Sequence, residues 1–228
     1  VLDLGGYLFT LICVVGVINA FNMIDGIDGL AGGMSLVILL TLTGFLTYTG
    51  NVASIMEPLV IAAAIVPFLA FNLSWKGFRG NKIFMGDSGS MFVGLTIVWL
   101  LVDHTQGESA AFRPITAVWL VGLPLMDMAA IMYRRARKGQ SVLKPDRQHL
   151  HNIFMRAGLS SRKSLIAILL LGSCYCIVGI LGEVYQVPEA IMFWSFIGVL
   201  VIYSMTIMHI WSVLRFIKRL PAKLGVKS

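Results

Sequence analysis

Charged residues are scarce in this chain. Lys, Arg, Asp and Glu make up 13% of its 228 residues, whereas hydrophobic residues make up 57%. A soluble domain carries about 25% charged residues, so this composition excludes a soluble domain. Apolar runs near the roughly 20 residues that cross a bilayer as a helix recur along the chain. The sequence therefore predicts an all-α, polytopic membrane protein that forms a single domain over residues 1–228.

Seven apolar runs are candidates for transmembrane helices. They cover residues 4–22, 30–49, 58–73, 88–102, 114–133, 164–182 and 189–211. The run at 88–102 is the weakest, because at 1.5 Å per residue it reaches only about 22 Å. The polar loops 23–30, 74–88 and 134–163 are expected at one and the same end of the bundle.

Cysteine is also scarce. Cys13, Cys174 and Cys176 all fall inside predicted spans. Their positions exclude a disulfide framework and a zinc cluster, so we expect them to be packing residues.

Acidic residues are outnumbered, with 11 Asp and Glu against 18 Lys and Arg. Seventeen of the 18 basic residues lie in the loops 74–88 and 134–163 or after residue 211, and only Arg113 lies at the other end of the bundle. The positive-inside rule then places the N-terminus outside and the tail in the cytoplasm. The same rule requires the run at 88–102 to cross the membrane, because the basic loop 134–163 would otherwise lie outside. A basic tail beside anionic lipid explains the net charge of +7 better than nucleic-acid binding does.

The stretch NAFNMIDGIDGLAGG sets a polar residue at every third position directly after an apolar run, at Asn19, Asn22, Asp25 and Asp28. An α-helix would turn this row about half way round its axis. Gly26 and Gly29 can break the helix, so that Asn22 and Asp28 converge on one ligand. The alternative is a polar row that only anchors a helix end at the headgroups. For Asn19, which lies deeper, the alternative is a bridge between helices.

Asp87 lies in FMGDSGSMFVG, immediately before an apolar run. This position is typical of a helix N-cap. It also places the amides of Ser88, Gly89 and Ser90 where they can hold a phosphate oxygen while the carboxylate holds Mg²⁺. Capping and catalysis are compatible, and both interpretations stay open.

The long loop 134–163 contains PDRQHLH, in which His149 and His151 stand two residues apart beside Arg147. A histidine pair can bind a transition metal, but a third ligand is missing, and the many cations favour a docking surface for phosphate or pyrophosphate. Asp127 precedes Arg134 by about two helical turns, so we expect these two to pair inside the bundle.

Three classes of membrane protein accommodate these features. A site with magnesium ligands, helix-terminal amides and a basic loop suits phosphoryl transfer from a soluble nucleotide to a lipid. A cation-coupled transporter is the alternative, although it requires ionisable groups near the bilayer midplane. A CDP-alcohol phosphatidyltransferase would require an Ala-Arg and spaced Asp residues after the Asp-Gly pairs, which are missing.

Three motifs in this order, NAFNMIDGIDGLAGG, FMGDSGS and PDRQHLH, resemble the polyprenyl-phosphate N-acetylhexosamine-1-phosphate transferases. The similarity covers roughly residues 5–165 and is greater to the GlcNAc-1-phosphate branch than to the muramoyl-pentapeptide branch. It implies transfer of GlcNAc-1-phosphate from UDP-GlcNAc to undecaprenyl phosphate at the cytoplasmic face of a bacterial inner membrane. The implied mechanism is direct attack of the lipid phosphate on the β-phosphorus, without a covalent nucleophile. Monomer and homodimer both stay open.

Motif chemistry and the resemblance together give the candidate site residues. The catalytic set is Asp25, Asp28, Asp87 and His149. The substrate-binding set is Asn22, Asp28, Ser88, Arg135, Arg147, His149 and His151. The resemblance implies Mg²⁺, with Mn²⁺ as the alternative ion, and its implied ligands are Asp87 and Asn22.

An adjacent Asp-Asp pair, which the family carries on an earlier cytoplasmic loop, is missing from this sequence. The chain also begins with Val1. We therefore expect an even number of spans, four by this interpretation, to precede it in a longer enzyme.

Overall fold

The computed structural model describes residues 4–75, 80–107, 110–141 and 149–209. These ranges contain helices and connecting turns, without a strand. The helices are α1 Leu4–Ile24, α2 Leu30–Tyr48, α3 Met56–Asn72, α4 Gly86–Asp103, α5 Pro114–Leu120, α6 Gly122–Arg137, α7 Leu150–Arg156, α8 Ser161–Val184 and α9 Glu189–Met208. A 3₁₀ turn, Val52–Ser54, precedes α3.

The fold class predicted from the sequence is confirmed. Six helices in the described ranges are long and apolar enough to cross a bilayer, and the bent pair α5 and α6 gives a seventh when counted as one span. The doubtful fourth span is an 18-residue helix, α4, which reaches about 27 Å.

The predicted span 114–133 is present, but as two helices joined at a sharp bend. The chain breaks at Val121, and α5 and α6 meet at 75°. Pro124 has no N–H to donate to the carbonyl of Leu120, and the Sγ of Cys176 donates to that carbonyl instead, at 3.4 Å. Gly122 has no Cβ atom, which leaves room for the rings of Tyr175 and Phe196. A Cβ atom built at this position would lie 3.0 Å from the Tyr175 ring and 3.1 Å from the Phe196 ring. The break is therefore packed with aromatic side chains.

The loop 134–163 contains a helix that the sequence analysis did not identify. A helix of seven residues, α7, lies within it and packs against α8. At seven residues its sequence is too short to show a helical period.

The helices pack so that α2 lies at the centre. It contacts α3 on one side and α8 on another, while α1 packs along α4, and α6 contacts both α1 and α9. Ile38, Leu39 and Leu46 of α2 are fully buried. Large apolar side chains such as Ile12 on α1 and Trp194 on α9 point outward, as expected for a surface that faces lipid.

A buried ion pair closes the end of the bundle opposite to the three polar loops. Glu183 of α8 accepts from the Nε of Arg113 at 3.1 Å, from the backbone N–H of Arg113 at 3.2 Å and from the hydroxyl of Thr116. The same guanidinium donates to the carbonyls of Val187 and Gly182, at 2.7 and 3.0 Å. Arg113 therefore joins the start of α5 to the end of α8.

We expect Arg113→Met to destabilise the fold strongly. Removing the cation leaves the buried carboxylate of Glu183 uncompensated, which costs about 3 to 5 kcal/mol and should lower the melting temperature by about 10 °C. Thermal unfolding in detergent measures this shift. Lys82→Met is the control, since it breaks an exposed ion pair worth less than about 1 kcal/mol. Equal shifts for the two variants would show that burial does not strengthen the pair at Arg113.

Candidate active site

The first motif forms the end of α1 and a short turn into α2. The helix ends at Ile24, as expected from Gly26 and Gly29, and Gly29 adopts a positive φ of 78°. Asn19 does not bridge helices, because its Nδ2 donates to the carbonyl of Val15 in the same helix, at 2.7 Å.

Asn22 and Asp28 were expected to converge on one ligand, but the structure gives them different partners. The Nδ2 of Asn22 donates to the Oδ1 of Asp87 at 3.2 Å. The carboxylate of Asp28 accepts from the Nζ of Lys82 at 2.7 Å. The first motif therefore contacts the second motif through Asn22, and the segment just before that motif through Asp28.

Asp87 was predicted to be the N-cap of α4, but it lies two positions beyond the N-cap, inside the helix. The N-cap position of α4 is Met85, so Asp87 belongs to the first helical turn and makes no capping bond. The first-turn amides, which lack an intrahelical acceptor, are then those of Gly86, Asp87 and Ser88. Ser88 keeps its expected place, whereas the prediction for the amides of the two residues after it was wrong.

Ser90 holds the contact between the first two motifs in place. Its hydroxyl is buried, accepts from the Nδ2 of Asn22 at 3.1 Å and donates to the backbone carbonyl of Asp87 at 3.1 Å. The carboxylate of Asp87 itself is exposed. The nitrogen of the Asn22 amide faces it, so that Asn22 would have to present its oxygen to share a cation with Asp87.

The pKa of Asp25 depends on the other charges of the site. Burial, the carboxylate of Asp87 and then that of Asp28 raise the pKa of Asp25 above its usual value. The carboxylates of Asp87 and Asp28 therefore act electrostatically on that of Asp25, and a bound cation would relieve this repulsion.

Lys82 was counted only as a loop charge, but it lies at the site. Besides its ion pair with Asp28, its Nζ lies 4.8 Å from the centroid of the Phe84 ring. The side chains of Lys82 and Asp28 are 38% and 40% exposed, so the pair adds little to stability. A ligand in solution can reach both.

Asn72 was missed by the sequence analysis. It is buried at the end of α3, where its Oδ1 accepts from the N–H of Gly29 at 2.6 Å and its Nδ2 donates to the carbonyl of Ile83 at 2.8 Å. It therefore joins the turn after α1 to the segment before α4. The available signal was a lone amide at the end of an apolar run, on the same side as the motifs.

The third motif is anchored on Asp127, and the predicted pairing of Asp127 with Arg134 was wrong. The Nδ1 of His149 and the Oδ2 of Asp127 form a hydrogen bond of 2.8 Å. The Oδ1 of Asp127 accepts from the N–H of Leu150 at 3.1 Å and from the hydroxyl of Tyr203 at 2.8 Å. These bonds tie the start of α7 to α6 and α9.

His149 and His151 are buried rather than spread over a surface, with 6% and 5% of each residue exposed. Their rings stack with centroids 5.8 Å apart and planes within 2° of parallel. Burial and the neighbouring His149 lower the pKa of His151 to about 4, although Asp127 acts in the opposite direction. His151 is therefore neutral at neutral pH and acts through contact and hydrogen bonding.

Gly26 brings the first motif against the third. A Cβ atom at this position would overlap the Cε1 and the Nε2 of His151. Only a residue without a side chain allows this approach. The turn that carries Asp25 therefore contacts the histidine pair.

Of the two arginines predicted to bind substrate, one can be placed. Arg135 lies in the last turn of α6, is buried, and donates from its Nε to the carbonyl of Ser141 at 2.6 Å. Arg147 lies outside the described residues. The basic residues Arg134, Arg135, Arg137 and Lys138 stand at the same end of the bundle as the three motifs.

The fold and the site together describe a helical membrane protein with an acidic, loop-built site at the basic end of its bundle. Comparison with known proteins agrees with this description. Residues 2–105, which contain the first two motifs, match the model of glycosyl transferase family 4, in agreement with the resemblance that these motifs show.

Curated relatives extend the similarity over most of the chain. The undecaprenyl-phosphate alpha-N-acetylglucosaminyl 1-phosphate transferase of Escherichia coli K12 is 44% identical over 220 residues, which is 96% of this chain and 60% of that protein. The protein of the same description from Yersinia pestis is 42% identical over the same shares. The one from Pasteurella multocida is 43% identical over 157 residues, 69% of this chain and 44% of that protein. This chain thus spans about 60% of the length of the first two relatives.

Proposed function

We propose that the protein takes part in the transfer of GlcNAc-1-phosphate from UDP-GlcNAc to undecaprenyl phosphate, with release of UMP. The observation that carries the proposal is the meeting of all three motifs at one end of the bundle. Asn22 bonds to Asp87 at 3.2 Å, and His151 packs against Gly26. The names of the curated relatives support the same acceptor and the same transferred group.

The residues of the site fit Mg²⁺. Clusters of three or more His, Cys, Asp or Glu that could hold a metal are absent from the part of the chain that the structure describes. Mg²⁺ needs no such cluster, because it keeps several waters and binds through one or two carboxylates and the phosphates of its substrate. The exposed carboxylate of Asp87 and the mutual repulsion felt by Asp25 match that requirement. When bound, Mg²⁺ would neutralise charge on the diphosphate.

Each motif then has a chemical task. Asp87 and, through its oxygen, Asn22 would hold the ion, and the first-turn amide of Ser88 would bind a phosphate oxygen. Asp25 and Asp28 would line the nucleotide site. Arg135, Arg147, His149 and His151 would contact the pyrophosphate and the sugar.

The reaction needs one displacement. An oxygen of undecaprenyl phosphate attacks the β-phosphorus of UDP-GlcNAc, a new P–O bond forms, and the bond to the UMP oxygen breaks. The protein contributes positioning and charge stabilisation. No side chain has to form a covalent bond to the substrate.

The same proposal places the site in the cytoplasm and the protein in the inner membrane of a bacterium. The basic residues at the end of α6 and in the neighbouring loops support this orientation through the positive-inside rule. A homodimer stays a prediction, which cross-linking in membranes would check.

The transporter alternative is not supported. The comparisons point to transferases, and the break between α5 and α6 is packed by Tyr175 and Phe196. A transporter would be expected to place ionisable groups and ion-binding carbonyls at such a break.

Membranes that contain the protein expressed from its intact gene provide the direct test. A panel of UDP-sugars is supplied with and without undecaprenyl phosphate, and UMP release is followed. We expect release only when UDP-GlcNAc, undecaprenyl phosphate and Mg²⁺ are all present. Release without the lipid, or with another UDP-sugar only, would contradict the proposal.

Gly26→Ala should lower kcat/KM by about 10-fold or more, because the new methyl group displaces the His151 ring, and a misplacement near 1 Å can cost that much. The control is Gly44→Ala, where a Cβ atom would meet no atom within 4 Å. Kinetics in the same membranes, corrected for the amount of inserted protein, measure both. Equal activity of the two variants would show that the contact between Gly26 and His151 is unimportant.

A further inference from the structure

Asp127 is a buried carboxylate on α6 that none of the three motifs contains. Only 3% of the residue is exposed. Its two oxygens receive three hydrogen bonds, from His149, from the backbone of Leu150 and from Tyr203. Such a group requires an explanation, because a buried charge is costly unless donors surround it.

The three bonds assign the protons if Asp127 carries its negative charge. An ionised carboxylate accepts hydrogen bonds and donates none. The Nδ1 of His149 must therefore carry a proton and donate it to Asp127. The Nε2 is then the atom of the His149 ring that is left to bind something else.

Two contacts fix the orientation of the His149 ring, one with Asp127 at its edge and one with His151 at its face. The ring of His151 stacks on that of His149, and His151 in turn rests against Gly26. Tyr203 supports Asp127 from α9, so the last described helix reaches the third motif through a chain of two hydrogen bonds.

We propose that Asp127 is a positioning residue for His149, and that Tyr203 supports it, so that the Nε2 of His149 is held toward the phosphate groups of the donor. This inference rests on the proposed function for its substrate. It adds two residues to the site, both of them in helices outside all three motifs. The competing explanation is that Asp127 only anchors the start of α7 through the N–H of Leu150.

Asp127→Asn separates the two explanations. The amide oxygen can still accept from Leu150 and Tyr203, so the anchor of α7 is kept. The amide nitrogen, however, is a donor and cannot accept the proton of His149 Nδ1. The neutral ring must then shift its proton to Nε2 or turn away from Asp127.

The first measurement is a double-mutant cycle in kcat/KM for UDP-GlcNAc. Asp127→Asn should cost about 10- to 100-fold, the usual loss when the partner that orients a histidine is removed. Added to His149→Ala, it should cause little further loss, because Asp127 acts through His149. The control Asp103→Asn makes the same change at the exposed far end of α4. Losses that multiply in the double variant would overturn the proposal.

Tyr203→Phe provides a milder second variant if Asp127→Asn fails to fold. It removes one donor and leaves that of Leu150, so we expect a loss of about 2- to 10-fold that disappears in the His149→Ala background. Tyr133→Phe, an exposed tyrosine on α6, is the matched control. A loss that persists in the His149→Ala background would contradict the role of Tyr203.

The second measurement does not depend on activity. The chain has four histidines, so ¹⁵N NMR of histidine-labelled protein can assign the His149 signals by their loss in His149→Ala. We expect a protonated Nδ1 in the unmodified protein and a changed signature in Asp127→Asn. An unchanged signature would overturn the proposal. Should the protein prove not to transfer GlcNAc-1-phosphate, this spectrum would still decide whether Asp127 fixes the ring.

Discussion

Asp87→Asn should lower kcat for GlcNAc-1-phosphate transfer by more than about 100-fold. Loss of an outer partner of a metal ligand already costs 10- to 100-fold, and Asp87 is proposed to contact the ion itself. A neutral amide oxygen is a much weaker ligand for Mg²⁺ than a carboxylate. The Mg²⁺ concentration for half-maximal rate should rise in the variant, which a titration of the metal at saturating substrates would measure.

The fold should survive this change. Asp87 makes no capping bond at the start of α4, and an acid in a first helical turn contributes only about 0.3 to 1 kcal/mol through the helix dipole. The asparagine can still accept from the Nδ2 of Asn22. Asp103→Asn, at the opposite end of the same helix, controls for the loss of one negative charge. Activity of Asp87→Asn within about twofold of that of the unmodified protein would show that Asp87 has a purely structural role.

The spans could be predicted from the sequence because length and hydropathy are properties of a run of residues. The break at Val121 could not, since residues 114–133 form one apolar run. It depends on Tyr175 and Phe196, which come from α8 and α9 and pack where Gly122 leaves room. Pro124 was a signal for a kink, but its sequence context gives no angle.

The polar residues of the site could be predicted, whereas their partners could not. Asn22, Asp25, Asp28 and Asp87 stand out because they interrupt apolar sequence at one end of the spans. Asp127 also stood out, but spacing along one helix suggested Arg134 as its partner. The actual partner, His149, is 22 residues away and reaches Asp127 only because α7 folds back on α6. Asn72 stayed unnoticed because a single amide carries no pattern.

His149→Ala tests whether the third motif binds substrate or only sets topology. If the loop acts only through its positive charge, the substitution should change nothing, because the nine Lys and Arg of residues 134–163 remain. If His149 contacts the donor, losing one hydrogen bond to a charged group costs about 1.5 to 3 kcal/mol. This corresponds to about 10- to 150-fold in kcat/KM.

The loss should appear when UDP-GlcNAc is varied and be much smaller when undecaprenyl phosphate is varied. His209→Ala, an exposed histidine just after α9, is the control. Burial of His149 against Asp127 allows a loss of packing as well, so the ratio of the two substrate effects, rather than the total loss, identifies donor binding. Equal losses for both substrates would indicate a packing role.

Arg135→Lys completes the test with a change that keeps the positive charge. Lysine is a point charge and cannot reproduce the planar fork of arginine on a phosphate, nor the bond from the Nε of Arg135 to the carbonyl of Ser141. We therefore expect a clear loss of kcat/KM for UDP-GlcNAc. Arg137→Lys, an exposed arginine in the same helical turn, should have no effect. Unchanged kinetics for UDP-GlcNAc in both His149→Ala and Arg135→Lys would show that this loop only sets the membrane topology. The proposed contact with the pyrophosphate would then be contradicted.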